Sequence, residues 1–138
     1  RNSLYNRGVN DRRVMKGEIW RYWTSAPDQQ TNQWVKLIFP VPVTVRAVRL
    51  YNPRQGDEAN STLQVQSTTV RLFSDAAGAN QVAAQSTGPL AVTGTTVHFP
   101  DVRARVVQVD ITGMTGTFYG MRVASIAEIE VIARGEQP

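Results

Sequence analysis

Short runs of β-branched and apolar residues, separated by turn residues, recur along this chain, and helical periodicity is nearly absent. In Val106–Ile111, Gln108 and Asp110 lie on one face of an extended chain and apolar residues on the other. Near the end of the chain, Glu128 and Glu130 alternate in the same way with apolar neighbours. A period of two is typical of sheets with one buried face, so the pattern predicts an all-β protein.

Turn residues divide the pattern into segments of strand length. Pro40 and Pro42 predict a corner between two of these segments, because closely spaced prolines cannot belong to a regular central ladder. The predicted strands are Gln33–Phe39, Val43–Tyr51, Leu63–Ser74, Gln81–Gln85, Thr95–Phe99, Val106–Ile111 and Ile126–Ile132. Seven or eight strands favour a sandwich of two packed antiparallel sheets. With 138 residues and no visible linker or repeat, we expect one domain over residues 1–138.

The composition excludes several kinds of site. The chain has no cysteine, which rules out disulfides, thiolate metal sites and cysteine catalysis, and a single histidine, which rules out a zinc site with two histidines. No apolar run approaches the ~20 residues of a membrane-spanning helix. The net charge is +4, but the arginines are scattered along the chain, so we expect no nucleic-acid partner.

Aromatic and forked polar side chains concentrate in three connections between the predicted strands. Trp20 precedes the first clear strand, Asn52 and Arg54 follow Val43–Tyr51, and Phe118 and Tyr119 lie in a stretch flanked by glycines. Loops held by a rigid sandwich commonly carry binding residues. We therefore predict that Trp20, Asn52, Arg54, Phe118 and Tyr119 bind a ligand. The alternatives are that the aromatic side chains belong to the core and that Arg54 is a plain surface residue.

Catalytic motifs are absent. The sequence has no Gly-x-Ser-x-Gly elbow, no phosphate-binding Gly-x-x-x-x-Gly-Lys loop, no His-Glu-x-x-His and no Gly-x-Gly-x-x-Gly. The chain has 11 carboxylates, and any two of them can meet in the fold, so a carboxylate pair stays open on sequence grounds. Taken together, the absences favour a protein that is not an enzyme.

Four segments, taken in order, resemble discoidin-like (coagulation-factor type C) domains and family 32 carbohydrate-binding modules. The similar segments are Gly8-Val9-Asn10-Asp11, Arg21-Tyr22-Trp23-Thr24-Ser25, Gln33-Trp34-Val35-Lys36-Leu37-Ile38-Phe39 with Pro42 to Tyr51, and Ile126-Ala127-Glu128-Ile129-Glu130-Val131. The chain departs from the family pattern at Arg12, which stands where the family has a glycine. The resemblance implies a galactose-binding-like β-sandwich, or jelly roll, of about eight antiparallel strands.

The resemblance also carries an expectation of function. Members of the family bind sugars, phospholipid surfaces or proteins. We expect a noncatalytic carbohydrate-binding or accessory module of a secreted or cell-surface bacterial protein. Its partner would be a glycan or polysaccharide, with an adjacent catalytic domain in the same polypeptide. The alternative is a structural or adhesive domain that packs on a partner domain or docks on a membrane surface.

A structural calcium ion is the last expectation that the resemblance implies, because the family commonly ties an early aspartate turn to the final strand through such an ion. Asp11 matches the early turn and Glu128 the closing strand, with Asn10 and the carbonyl of Ala127 as further oxygen donors. Calcium takes six to eight oxygen ligands. The alternative is that Glu128 pairs with an arginine.

Overall fold

Strands account for most of the residues described in the computed structural model, which are 23–25, 29–53, 62–117 and 120–134. The strands are β1 (Trp23–Thr24), β2 (Gln33–Tyr51), β3 (Gln64–Phe73), β4 (Gln81–Thr87), β5 (Thr95–Thr115), β6 (Ser125–Ile126) and β7 (Glu128–Ala133). Five of them form one sheet in the order β4-β3-β5-β2-β7, and β1 pairs with β6. Every pairing is antiparallel. The all-β prediction is confirmed.

The two long strands, β2 and β5, bend together at a corner. Their register is continuous up to Ile38 paired with Val106, and it resumes at Val43 paired with Ala104. The skipped residues of β2 include both prolines, which have no N–H to donate to a ladder. The corner is therefore confirmed, but the structure keeps the flanking segments within one strand, where the sequence predicted two. The predicted strands Thr95–Phe99 and Val106–Ile111 are likewise joined in β5.

Residues from both sides of the corner fill one core. Val35 precedes the corner and Val48 follows it, yet both are completely buried and belong to the same apolar cluster. The two halves of the long strands therefore lie in facing layers, which is the expected sandwich. Leu50, Leu72 and Ile129 are also fully buried. Each such side chain contributes about 1.5–3 kcal/mol relative to an exposed one.

Buried and more exposed residues alternate along most strands, but not at the start of β7. Glu128 was expected on the face opposite Ile129, yet both are buried, with Glu128 only 2% exposed. The reason is that all residues from 123 to 129 are buried, so the chain is covered on both sides here. Glu130, two residues later, is only partly buried.

The corner lies at the opposite end of the sandwich from the described residues that flank the predicted binding connections. The ends of β2 and β5, the start of β3 and the segment before β7 gather at one end, where Tyr51 of β2 pairs with Glu128 and Gln64 of β3 pairs with Thr115. Among the described residues, no helix is long and apolar enough to cross a membrane.

Candidate functional site

The three connections singled out in the sequence are anchored at the same end of the sandwich. Each anchor is a direct hydrogen bond between the described residues that flank these connections. The anchoring pairs are Gln30 with Gly116, Thr62 with Thr117, and Asn52 with Gln64. The ends of these loops therefore form a contiguous region rather than separate surfaces.

Thr62 and Thr117 hold the second and third connections side by side. The Thr62 backbone N–H donates to the Thr117 carbonyl at 2.9 Å, and the Thr117 backbone N–H donates to Thr62 Oγ1 at 3.0 Å. Thr62 is the first described residue after residues 54–61, and Thr117 is the last described residue before residues 118–119. A reciprocal pair of this kind fixes the spacing of the two loop bases.

Gly116 allows this close approach. Its φ is +87°, and a Cβ built on it would lie 2.0 Å from the Thr62 carbonyl oxygen. Only glycine adopts this backbone region without strain, and no side chain fits in that space. Gly116 thus lets the bases of the two connections pack against each other.

Gln30 ties the first connection to the same region. Its Nε2 donates to the Gly116 carbonyl at 2.8 Å and to the Val123 carbonyl at 3.1 Å, and the residue is 8% exposed. Nearby, the Ser25 backbone N–H donates to the Ala124 carbonyl at 2.9 Å. Sequence reasoning missed Gln30, since an isolated glutamine in a connection gives no periodic signal of burial.

Asn52 is buried at the base of the second connection. Its side chain is 1% exposed, and Nδ2 donates to the Pro53 carbonyl and to Gln64 Oε1, each at 3.1 Å. Oδ1 accepts the Val65 backbone N–H at 2.8 Å. With its amide used in this way, the Asn52 side chain anchors the connection that carries Arg54, and its role in ligand binding stays a prediction.

The other predicted ligand-binding residues, Trp20, Arg54, Phe118 and Tyr119, lie outside the described residues, as does Asp11 of the predicted calcium site. Their assignment stays a prediction. The structure does describe the residues that anchor the connections carrying Trp20, Arg54, Phe118 and Tyr119.

The charged side chains next to this end form a balanced group on the sheet. Arg49 Nη1 donates to Glu130 Oε1 at 3.1 Å, and the Tyr51 hydroxyl donates to the same oxygen at 3.3 Å. Burial raises the pKa of Tyr51, so the phenol keeps its proton at neutral pH and acts as a donor.

Glu128 is the described member of the predicted metal site. It lies beside Tyr51 in the register of β7 with β2, and the Tyr51 carbonyl accepts the Ala127 backbone N–H at 2.9 Å. A carboxylate that is 2% exposed needs a compensating charge or polar partners, and Glu128 does make polar interactions in the fold. Within the described ranges, no three histidine, cysteine, aspartate or glutamate side chains cluster to hold a metal. A calcium site here would depend on backbone oxygens and on Asp11.

Comparison with known proteins gives structural likeness only. No protein family and no curated protein sequence matches the chain. Among solved structures, a fucose-binding module of Streptococcus pneumoniae is similar with a TM-score of 0.66 and 20% identity, over 91% of this chain and 79% of that one. The lectin domain of lectinolysin, complexed with Lewis b antigen, has a TM-score of 0.67 and 21% identity, over 94% and 84%.

A third similar structure is the family 32 carbohydrate-binding module of AlyQ, in complex with 4,5-unsaturated mannuronic acid. Its TM-score is 0.57 at 16% identity, over 94% of this chain and 85% of that one. At these identities the likeness establishes fold, and it confirms the architecture that the sequence motifs implied. The chain has the antiparallel β-sandwich fold of these binding modules.

Proposed function

We propose that this protein is a noncatalytic carbohydrate-binding module that binds sugar through the loops at one end of the sandwich. The observation that carries the proposal is the convergence of the three connections, through Gln30–Gly116, Thr62–Thr117 and Asn52–Gln64. These connections carry Trp20, Arg54, Phe118 and Tyr119, the residues proposed to contact the sugar.

The chemistry of the proposed site suits a sugar. The C–H faces of a pyranose need an aromatic surface, and adjacent hydroxyls need forked polar groups such as a guanidinium. Trp20, Phe118 and Tyr119 supply the first and Arg54 the second. A shallow site of this kind binds weakly, with Kd in the micromolar to millimolar range, where ~1 mM corresponds to about −4 kcal/mol.

The similar structures support a glycan as the partner. They are described as binding fucose, Lewis b antigen and an unsaturated mannuronic acid, respectively. We extend the class of ligand, but not the individual sugar, to this chain. A glycan ligand fits a module of a secreted or cell-surface bacterial protein. In such a protein, the module would bring an adjacent catalytic domain to the polysaccharide on which that domain acts.

A second candidate function is docking on a partner domain or an anionic membrane. The specific observation in its favour is the corner, where Ile38 is 57% exposed and Val41 61% exposed. Arg105 lies there as well, its Nε donating to the Phe39 carbonyl at 2.8 Å. Exposed apolar side chains beside an arginine suit an anionic lipid surface. The corner has only two such side chains, so sugar binding remains the first proposal.

We also propose a structural calcium ion between Glu128 and the turn at Asp11, with backbone carbonyls completing an oxygen shell. The burial of Glu128 supports it, because a buried carboxylate suits a hard cation. When bound, the ion would supply positive charge that ties the final strand to the early part of the chain. Pairing of Glu128 with an arginine is the competing explanation.

A glycan array followed by calorimetry tests the first proposal against the second. We expect binding to at least one neutral or acidic glycan and no pelleting with liposomes of phosphatidylserine and phosphatidylcholine. Liposome binding that falls with salt and is unaffected by free sugar would instead support membrane docking. A folded protein that binds no glycan contradicts the first proposal.

A further inference from the structure

The outer face of the sheet carries a polar groove that begins at Asn32 and Gln33, next to the first connection, and continues along the strands. It encloses about 370 Å³ and is lined by Trp34 of β2, Arg71 of β3, and Gln108, Asp110 and Thr112 of β5. Small-molecule sites commonly occupy roughly 300–1,000 Å³. The groove therefore has the size of a ligand site.

Strand register explains why these side chains meet. Trp34 pairs with Asp110 across β2 and β5, while Gln108 pairs with Arg71 across β5 and β3. The neighbouring inner row contains Val35, whose side chain is completely buried. Because side chains alternate along a strand, the groove residues project from the opposite face of the same sheet.

The polar groups of the groove are held in fixed orientations. Arg71 Nε donates to Asp110 Oδ2 at 2.6 Å, and Gln108 Nε2 donates to Asp110 Oδ1 at 2.7 Å. Arg71 Nη1 also donates to Gln81 Oε1 at 3.1 Å. A guanidinium has five N–H groups, and among the described residues these contacts use two of them. Donors remain on Arg71, and an acceptor remains on the Gln108 amide.

The aromatic member is held in a similar way. Trp34 is half-buried, and Lys36 Nζ lies 5.1 Å from the centre of its ring, within the range of a cation–π interaction. Lys36 does not line the groove, and the one cation that does, Arg71, is paired with the Asp110 carboxylate. A groove with balanced charge, several oriented donors and acceptors, and an indole favours an uncharged ligand that is rich in hydroxyl groups.

We propose that this groove, defined by Trp34, Arg71, Gln108 and Asp110, is a second carbohydrate site that binds a neutral pyranose unit. Hydroxyls of the sugar would accept hydrogen bonds from Arg71 and donate to the Gln108 carbonyl oxygen, and its apolar patch would contact the indole. A sheet-face site beside an end-loop site would let one module engage two units or two chains of a polysaccharide, with a gain in avidity.

The indole N–H signals of the three tryptophans provide the test, in ¹⁵N-labelled full-length chain. Trp34→Phe identifies the Trp34 signal. The probes are four neutral oligosaccharides, namely lactose, cellotetraose, mannotetraose and the Lewis b tetrasaccharide, each at up to about 10 mM, a concentration that detects millimolar affinity. We expect at least one probe to shift the Trp34 signal in a saturable way. If none does so, the proposal is overturned.

Two arginines give a matched pair of variants. Arg71→Gln removes the groove guanidinium, and we expect the affinity measured at Trp34 to fall about tenfold. Arg49→Gln breaks an equivalent ion pair, with Glu130, away from the groove, and we expect no change. Equal effects of the two substitutions would contradict a binding role for Arg71.

Trp20→Ala separates this inference from the proposed end-loop site. We expect the Trp34 response to persist in this variant. Loss of the response would assign binding to the end loops alone and overturn the sheet-face site. A probe that shifts the Trp20 signal but not the Trp34 signal would leave the proposed function intact and refute only this inference. Oligomannuronate serves as a charged comparison to the four neutral probes, and a Trp34 response confined to it and abolished by salt would contradict a neutral ligand.

Discussion

Thr62 and Thr117 lie 55 residues apart in sequence and are joined by two backbone N–H donors, one to a carbonyl at 2.9 Å and one to a hydroxyl at 3.0 Å. This pair joins the bases of two connections that carry the predicted sugar-binding residues. The geometry of the loop end is therefore set by packing among loop bases, with Gly116 as the residue that permits the contact.

Gly116→Ala should disturb this contact more than the same change at Gly120. Both glycines have positive φ, +87° and +77°, so each alanine costs about 1–2 kcal/mol in backbone strain. Only at Gly116 would the new Cβ meet the Thr62 carbonyl oxygen, at 2.0 Å, while nothing lies within 4 Å at Gly120. We expect urea unfolding to show at least about 1 kcal/mol more loss for Gly116→Ala. Equal losses would show that the Thr62 contact does not constrain the loop.

Asn52→Ala tests the anchoring role of the buried amide. The substitution leaves the buried Val65 N–H without its acceptor, so the free energy of unfolding should fall by about 1–3 kcal/mol. Gln66→Ala is the control, because it removes a solvent-exposed hydrogen bond to Thr115 from the same region and should change stability by less than about 0.5 kcal/mol. If Asn52→Ala is as stable as the control but loses sugar binding, Asn52 contacts ligand directly.

The sequence predicted the sandwich and the corner, because alternation and proline positions are local signals. It did not predict the anchors, since Gln30 and Thr62 act through partners distant in the chain, and polar residues in connections are usually exposed. The burial of Glu128 was missed for a related reason: alternation describes a strand covered on one side, whereas residues 123–129 are covered on both. Trp34 and Arg71 belong to different strands, and only their registers with β5 bring them to one groove.

A calcium ion at Glu128 would make thermal stability depend on free calcium. In protein stripped of metal, Tm should rise with the logarithm of calcium concentration if the ion binds the native state alone. Glu128→Gln should abolish the rise. Glu130→Gln, two residues along β7 and paired with Arg49, should retain it. An unchanged Tm of the parent protein at millimolar calcium would exclude a stabilising ion and favour an arginine partner for Glu128.

Asp75 should make one turn sensitive to acid. Backbone N–H groups of Asn80 and Ala79 donate to its carboxylate and lower the pKa of Asp75 below its usual range. A group whose pKa is lower in the folded state stabilises the fold above its unfolded pKa, and this contribution is lost as pH falls through the folded value, below about pH 4. Asp75→Asn should therefore destabilise the protein at pH 7, and the difference should shrink towards pH 2. Urea unfolding from pH 7 to pH 2 measures the difference in free energy of unfolding between the parent protein and Asp75→Asn. A difference that does not vary with pH would contradict a role for the charge.

The most direct test of the central claim is a calorimetric titration of the glycan that binds best on the array into the parent protein and into Trp20→Ala, Arg54→Ala and Tyr119→Ala variants. We predict a micromolar to millimolar Kd for the parent and a loss of about tenfold or more in affinity for each variant, with the fold retained by circular dichroism. Unchanged affinity in all three folded variants would contradict sugar binding by the end loops.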